Sequence, residues 1–180
     1  ALLAQFATVQ DIQLLTMAET KLQSSARRVS NDSQLLLNLG RVYFLQNKVS
    51  RAIAVLQSSL ELNPHDATTI SLLALCYDQQ NNDQAGIALY PVWQAQSYRP
   101  TMEYGLFAEM FYRQGDHRKA IKLLQESLAL NPTLTLHHRS LSIIQSRIGA
   151  VPESQQSLRK ATVIESLMRP HIPMAPATNP

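Results

Sequence analysis

Apolar residues along this chain cluster at helical spacing, and the clusters themselves repeat. Leu36, Leu39, Gly40 and Tyr43 share one face of a helix. Gln46-Asn47-Lys48 interrupts that stripe. Ala52, Leu56, Ser59 and Leu60 begin a second one, which Asn63-Pro64 ends. Proline cannot continue a helix and disfavours helical geometry in the residue before it. The stretch RAIAVLQSSLELNP at 51–64 then returns as KAIKLLQESLALNP at 119–132. Nine positions, from Ala52 to Pro64, recur unchanged from Ala120 to Pro132, an offset of 68 residues or two periods of 34. A unit of that length is a helix–turn–helix. It cannot bury its apolar face alone and must stack on neighbours.

With turn signals at each expected place, the period predicts helices at 34–46, 50–62, 67–80, 83–97, 101–114, 117–130, 134–148 and 152–168. It divides the chain into full units at 33–66, 67–100 and 101–134, a polar capping unit at 135–168 and a partial unit at 1–32. In the partial unit, Ala18, Leu22 and Ser25 precede Ala52, Leu56 and Ser59 by one period, so 15–29 reads as a second helix. Leu2, Leu3, Phe6 and Val9 are the candidate stripe of its first helix. The missing punctuation between the two leaves one continuous helix open. The helix at 83–97 departs from the pattern. Gly86 stands where alanine is usual, Pro91 lies inside it and Trp93 occupies a normally small place. A kink or break is expected near Tyr90, with Trp93 filling the gap; the competing reading makes Trp93 an exposed anchor for a partner. In the capping unit Ser142, Gln145, Ser154 and Ser166 replace the usual small, aromatic, alanine and proline signals. Residues 169–180, RPHIPMAPATNP, read as an extended Pro-rich tail, with Ile172 and Met174 as anchors for docking on a repeat surface.

The unit at 33–66 resembles a tetratricopeptide repeat through Leu36, Leu39, Gly40, Tyr43, Ala52, Leu56, Ser59 and Pro64. Gly40 and Ala52 suit a close helix crossing, and Tyr43 and Leu56 fill the space that closeness leaves. Tyr104, Phe107, Ala108, Phe111, Ala120, Leu124, Ser127 and Pro132 repeat the pattern. The resemblance implies an all-α array of helical hairpins wound into a right-handed superhelix, whose concave groove is lined by the first helices. It places Leu37, Arg41 and Phe44, then Ser71, Leu75 and Asp78, then Gly105, Glu109 and Tyr112 on that groove as peptide-binding candidates. One subfamily clamps a peptide carboxylate with Lys and Asn. Here Leu37, Arg41, Ser71 and Leu75 stand at the corresponding places, which argues against that clamp.

Composition adds exclusions. The 180 residues are 45% hydrophobic and 16% charged, with a net charge of +3. No run of five like charges occurs, and Arg27-Arg28 reads as a solvated helix end, so no nucleic-acid partner is expected. One cysteine, Cys76, excludes an internal disulfide and a multi-thiolate metal site. No apolar run of about 18 residues is present, so no direct membrane insertion is expected. The expected location is cytoplasmic, with the opening ALLAQ a candidate stub of a removed signal or anchor. His137 and His138 are adjacent and point about 100° apart on a helix, and no histidine has a ligand partner four residues on. No phosphate loop or nucleophile elbow is found. No catalytic residues, metal or cofactor are therefore expected. The leading function is a non-catalytic protein-interaction module or assembly chaperone that takes a peptide segment of another protein in its groove. The alternatives are a structural or oligomerisation subunit, pairing with copies of itself, and a regulatory repeat domain cut from a larger enzyme.

Overall fold

The computed structural model describes residues 9–28, 31–97 and 99–168. Over these residues the chain is helical and contains no strand. A long α1 (Val9–Arg28) leads into the hairpin α2 (Ser33–Leu45) and α3 (Val49–Leu62). Next come α4 (Ala67–Gln79), the short α5 (Asp83–Ala88) and α6 (Tyr90–Gln94). The hairpins α7 (Thr101–Arg113) with α8 (His117–Leu130) and α9 (Thr135–Arg147) with α10 (Val151–Met168) complete the array. Each hairpin packs on the next, through α1 on α2, α3 on α4, α5 on α7 and α8 on α9. This is an array of stacked helical hairpins.

The period is written into the backbone. Asn47, Asn81, Gly115 and Gly149, each 34 residues after the last, have φ of 60°, 54°, 87° and 83°. Each sits in the turn between the two helices of its hairpin. Left-handed geometry there reverses the chain within three residues, and asparagine and glycine are the residue types that adopt it at low cost. The polar contacts keep the same step. Asp32 and Asp66 accept from the amides of Leu35 and Thr69 to cap α2 and α4, and Asn82 and Asp116 cap α5 and α8 in the same way. Gln23 Nε2 donates to Tyr43 Oη at 2.8 Å, and Gln57 Nε2 donates to Tyr77 Oη at 2.9 Å. Ser59 Oγ donates to the Ser33 carbonyl, as Ser127 Oγ does to the Thr101 carbonyl.

Three features bear on what the sequence left open. First, α1 runs unbroken from Val9, so Val9 belongs to the same helix as the expected second-helix stretch; Leu2, Leu3 and Phe6 lie outside the described residues. Second, the helix expected at 83–97 is two helices parted at Leu89. Pro91 has no N–H to return to the Ile87 carbonyl, while the Leu89 amide closes a tighter turn onto Gly86. Pro91 thus falls in the first turn of α6, where the missing donor costs nothing. Trp93 is 1% exposed and packs edge-on to Tyr104 and tilted against Phe107, each at 4.9 Å, so it is a core residue and no surface anchor. Third, the polarity of 135–168 points inward. Ser142 Oγ meets Ser154 Oγ at 3.1 Å and Ser157 Oγ donates to Gln145 Oε1 at 2.9 Å, all four buried between α9 and α10. The Pro-rich tail, with Ile172 and Met174, lies outside the described residues.

Two buried clusters form the core. Leu39, Tyr43, Ala52, Leu56, Leu73 and Tyr77 build one. Tyr90, Trp93, Phe107, Phe111 and Leu124 are the heart of the other, and Leu60 and Leu89 pack against both. In the first cluster a Cβ on Gly40 would lie 2.5 Å from Leu56 Cδ2. Replacing Gly40 with leucine should therefore destabilise the chain by about 1–3 kcal/mol, read as a lowered thermal midpoint. Cys76 is fully buried in the same cluster, and burial pushes its thiol up to about 12. The native thiol should stay inert to an aromatic disulfide reagent at pH 8 and react only when denaturant opens α4.

Candidate functional site

The first helices α4, α7 and α9 lie side by side, and a cavity of about 340 Å³ opens along them. Leu75, Met102, Leu106 and Leu136 supply its apolar walls. Leu75, Met102 and Leu136 are 40%, 57% and 59% exposed, so these walls face outward. Asp78, Glu103 and Glu109 add carboxylates. A larger cavity, about 750 Å³, is built mainly from the second helices α8 and α10 and lies off this face.

Gly105 on α7 sets the geometry of the floor. A Cβ there would lie 2.5 Å from His137 Nε2, so only a glycine lets the ring of α9 rest against α7. His137 is 1% exposed. Its Nδ1 lies 2.7 Å from Ser127 Oγ, whose own proton is given to the Thr101 carbonyl at 3.1 Å. Ser127 therefore accepts at that contact, and Nδ1 must carry the imidazole hydrogen. Nε2 is left with a bare lone pair and has no hydrogen-bond partner. Burial, with His138 adding to it, holds the His137 pKa below its ordinary value of 6.5, so the ring is neutral near pH 7. Glu103 Oε2 is a second buried acceptor without a partner.

At one edge Arg113 gathers three carboxylates. It contacts Asp83 through Nε at 2.9 Å, Asp78 through an Nη at 2.5 Å, and Glu109 at 3.7 Å. Asp83 is buried, and its hydrogen bonds to Arg113 outweigh desolvation and hold its carboxyl below the usual range. The hydrogen bond to Asp83, with that to Asp78, raises the Arg113 pKa, so the guanidinium stays charged.

Four of the nine candidate groove residues, Leu75, Asp78, Gly105 and Glu109, line this cavity together. The others do not. Leu37 is only 3% exposed and lies among Leu39, Tyr43, Leu56 and Leu73, which corrects its expected place on the groove surface. Arg41 is exposed on α2, while Phe44 is half-buried against that same cluster. Ser71 is half-buried on α4. Tyr112 lies tilted against His117 at 5.2 Å and beneath Arg147 at 5.8 Å. Glu103, His137 and Ser140 were not anticipated. His137 falls two periods after Thr69, which makes the equivalent contact to Ser59, and that spacing was the available signal. Among the described residues no group of three or more His, Cys, Asp or Glu is placed to hold a metal ion. Nor is any helix among them long and apolar enough to cross a membrane.

Residues 16–67 and 104–136 each match the tetratricopeptide repeat. Cellulose synthase operon protein C of Pseudomonas fluorescens (strain SBW25) is 28% identical over 136 residues. That match is 75% of this chain but 11% of the relative, so the chain spans about a tenth of that protein's length. Among solved structures, MamA superposes with a TM-score of 0.82 at 19% identity over 90% of this chain and 97% of that one. MamA from Desulfovibrio magneticus RS-1 gives 0.82 at 17% identity, covering 87% and 88%. YrrB, described as a repeat protein with an unusual peptide-binding site, gives 0.72 at 14% identity, covering 81% and 75%. These likenesses establish the fold.

The buried neutral His137 makes stability depend on pH. Its folded pKa lies below its unfolded one, so the unfolded chain binds the extra proton between the two values, and stability falls as pH drops below 6.5. Glu19 and Asp83, whose pKa values are lowered, lose their contribution only below their ordinary 4.5 and 3.8. Denaturant titrations between pH 7 and pH 5 should show stability falling as the pH drops below 6.5. His137→Thr, which copies Thr69, should flatten that slope.

Proposed function

The chain being a tetratricopeptide-repeat protein, we propose that it is a non-catalytic interaction module that binds a peptide segment of another protein along the face of α4, α7 and α9. The carrying observation is the cavity on that face, which combines the exposed apolar walls of Leu75, Met102 and Leu136 with the carboxylates of Asp78, Glu103 and Glu109. An apolar surface rimmed by charge suits a peptide with alternating anchors and polar groups. YrrB, a protein of similar fold, has an unusual peptide-binding site, which supports the same reading. Because a micromolar complex needs only about −8 kcal/mol, two or three buried side chains suffice. On this reading the module serves as a scaffold or assembly chaperone, and nucleic acid is not its ligand.

A second reading rests on α10. It exposes Leu158, Val163, Leu167 and Met168, a set of apolar residues that self-association would cover. Light scattering on the eluting peak separates the two. A monomer at tens of micromolar removes the self-association reading.

For the groove, a displayed library of random twelve-residue peptides should yield binders with micromolar dissociation constants by fluorescence anisotropy. Leu75→Asp and Met102→Asp, both at exposed positions, should weaken them at least tenfold without altering the circular dichroism. Binders indifferent to both changes would remove this face from consideration.

A further inference from the structure

We infer that the Pro-rich segment after α10 folds back into the cavity between α8 and α10, where Ile172 and Met174 fill space that the last repeat unit leaves open. This site lies off the α4, α7 and α9 face and does not depend on what that face binds.

The period shows what the cavity lacks. Gln125, Leu128, Ala129, Leu141, Gln145 and Ser157 line it. Two periods earlier, Gln57, Leu60, Glu61, Leu73, Tyr77 and Leu89 line a cavity of their own, position for position. The earlier one holds about 460 Å³ and the later one about 750 Å³. Glu61 gives way to Ala129 on the exposed rim, and at the base Tyr77 gives way to Gln145 and Leu89 to Ser157. At the junction between them the same two places hold Phe111 and Leu123, 6% and 1% exposed. Gln145 and Ser157 satisfy each other at 2.9 Å, so the base asks for no polar ligand. What is missing is bulk, and its absence forfeits the packing contacts that a tyrosine and a leucine would make.

The segment that follows α10 is placed to supply that bulk. Val163 and Ile164 line the cavity, and α10 ends at Met168, about 6 Å beyond Ile164 along the helix axis. From Ile164 back to Glu153 the cavity follows α10 for about 16 Å. Residues 169–180, in an extended proline-rich conformation, reach about 37 Å, enough to reverse and run the whole length. The chemistry fits as well. Pro170, Pro173 and Pro176 recur at the three-residue step of that conformation and so share one edge, while Ile172 and Ala175 share another. The segment contains no acidic residue. Its prolines bring no N–H to be stranded against Leu128, Ala129, Leu141 and Val163. Its carbonyls can accept from Gln125 and Lys160 at the cavity wall. The tether to α10 holds the segment at an effective concentration of order millimolar, so a contact too weak to keep a free peptide suffices.

The experiment uses the full chain in two backgrounds. One is the native sequence. The other carries Gln145→Tyr with Ser157→Leu, which copies Tyr77 and Leu89 and fills the cavity from within. In the native background, Ile172→Asp with Met174→Asp should lower the thermal midpoint by several degrees. In the filled background the same tail changes should leave the midpoint where it is. A tail effect of equal size in both backgrounds, or of none in the native one, overturns the assignment. A second measurement does not depend on the variants folding: in the native chain the Met174 methyl group should show nuclear Overhauser contacts to the methyls of Leu128 and Val163. Their absence overturns the assignment whatever the midpoints do. Contacts that appear only between differently labelled copies in a mixed sample would place the segment in a neighbour's cavity and overturn the fold-back. Contacts from Met174 to Leu75 or Leu136 would place it on the α4, α7 and α9 face and overturn it as well.

Discussion

A large side chain seated over a residue with little or none, where two helices cross, is the contact on which this structure depends. Leu56 sits over Gly40, Met110 over Gly86 and His137 over Gly105. Where alanine takes the small role, as at Ala52, Ala74, Ala108 and Ala120, exposure falls to 1% or less. Close crossing lets each helix pair present a nearly flat apolar face to the next pair, which is how units that are unstable alone share one core. The hydroxyls of Ser59 and Ser127 belong to the same design. Each sits at zero exposure and is satisfied across the interface by a carbonyl at the start of its own unit.

The period made most of the fold legible. Helix ends were readable because each turn holds a residue suited to left-handed geometry, and two of the four add a capping aspartate or asparagine one step later, as in Gly115-Asp116 and Asn81-Asn82. The break at Leu89 was readable from Pro91 alone, since the missing N–H is a local fact. What stayed hidden depends on partners far along the chain. Ser142 and Gln145 look like solvent-facing polar residues until Ser154 and Ser157 are brought opposite them. Leu37 looks like a groove residue until the neighbouring helices close over it in the cluster of Leu39 and Leu73.

The candidate site divides along the same line. Leu75, Asp78, Gly105 and Glu109 share a cavity because position on a helix decides which way each faces, and helical position is periodic. His137 and Glu103 gain their interest from burial, which no local pattern reveals. An adjacent histidine pair reads as a poor metal site, but that reading says nothing of a single ring whose tautomer is set by a serine ten residues back. Gly105 carried the better clue. A lone glycine in the interior of a helix lowers its stability unless something must approach closely.

The unequal chemistry of the middle of the array and of its α9–α10 hairpin has a consequence for how it comes apart. Tyr90, Trp93, Tyr104, Phe107 and Phe111 interlock across the junction of the second and third hairpins, with ring centroids 4.9 to 5.8 Å apart. The seam between α9 and α10 is closed instead by serine and glutamine contacts around Leu141, Ile144 and Ala161. In a molecule whose cooperativity passes only between neighbours, such a gradient fixes a direction. Thermal fluctuation would peel the final hairpin first, and with it His137, while the aromatic junction remains intact. Occupancy of the groove and integrity of the terminal hairpin then become one equilibrium, so a ligand seated against His137 would act as a latch on the end of the array.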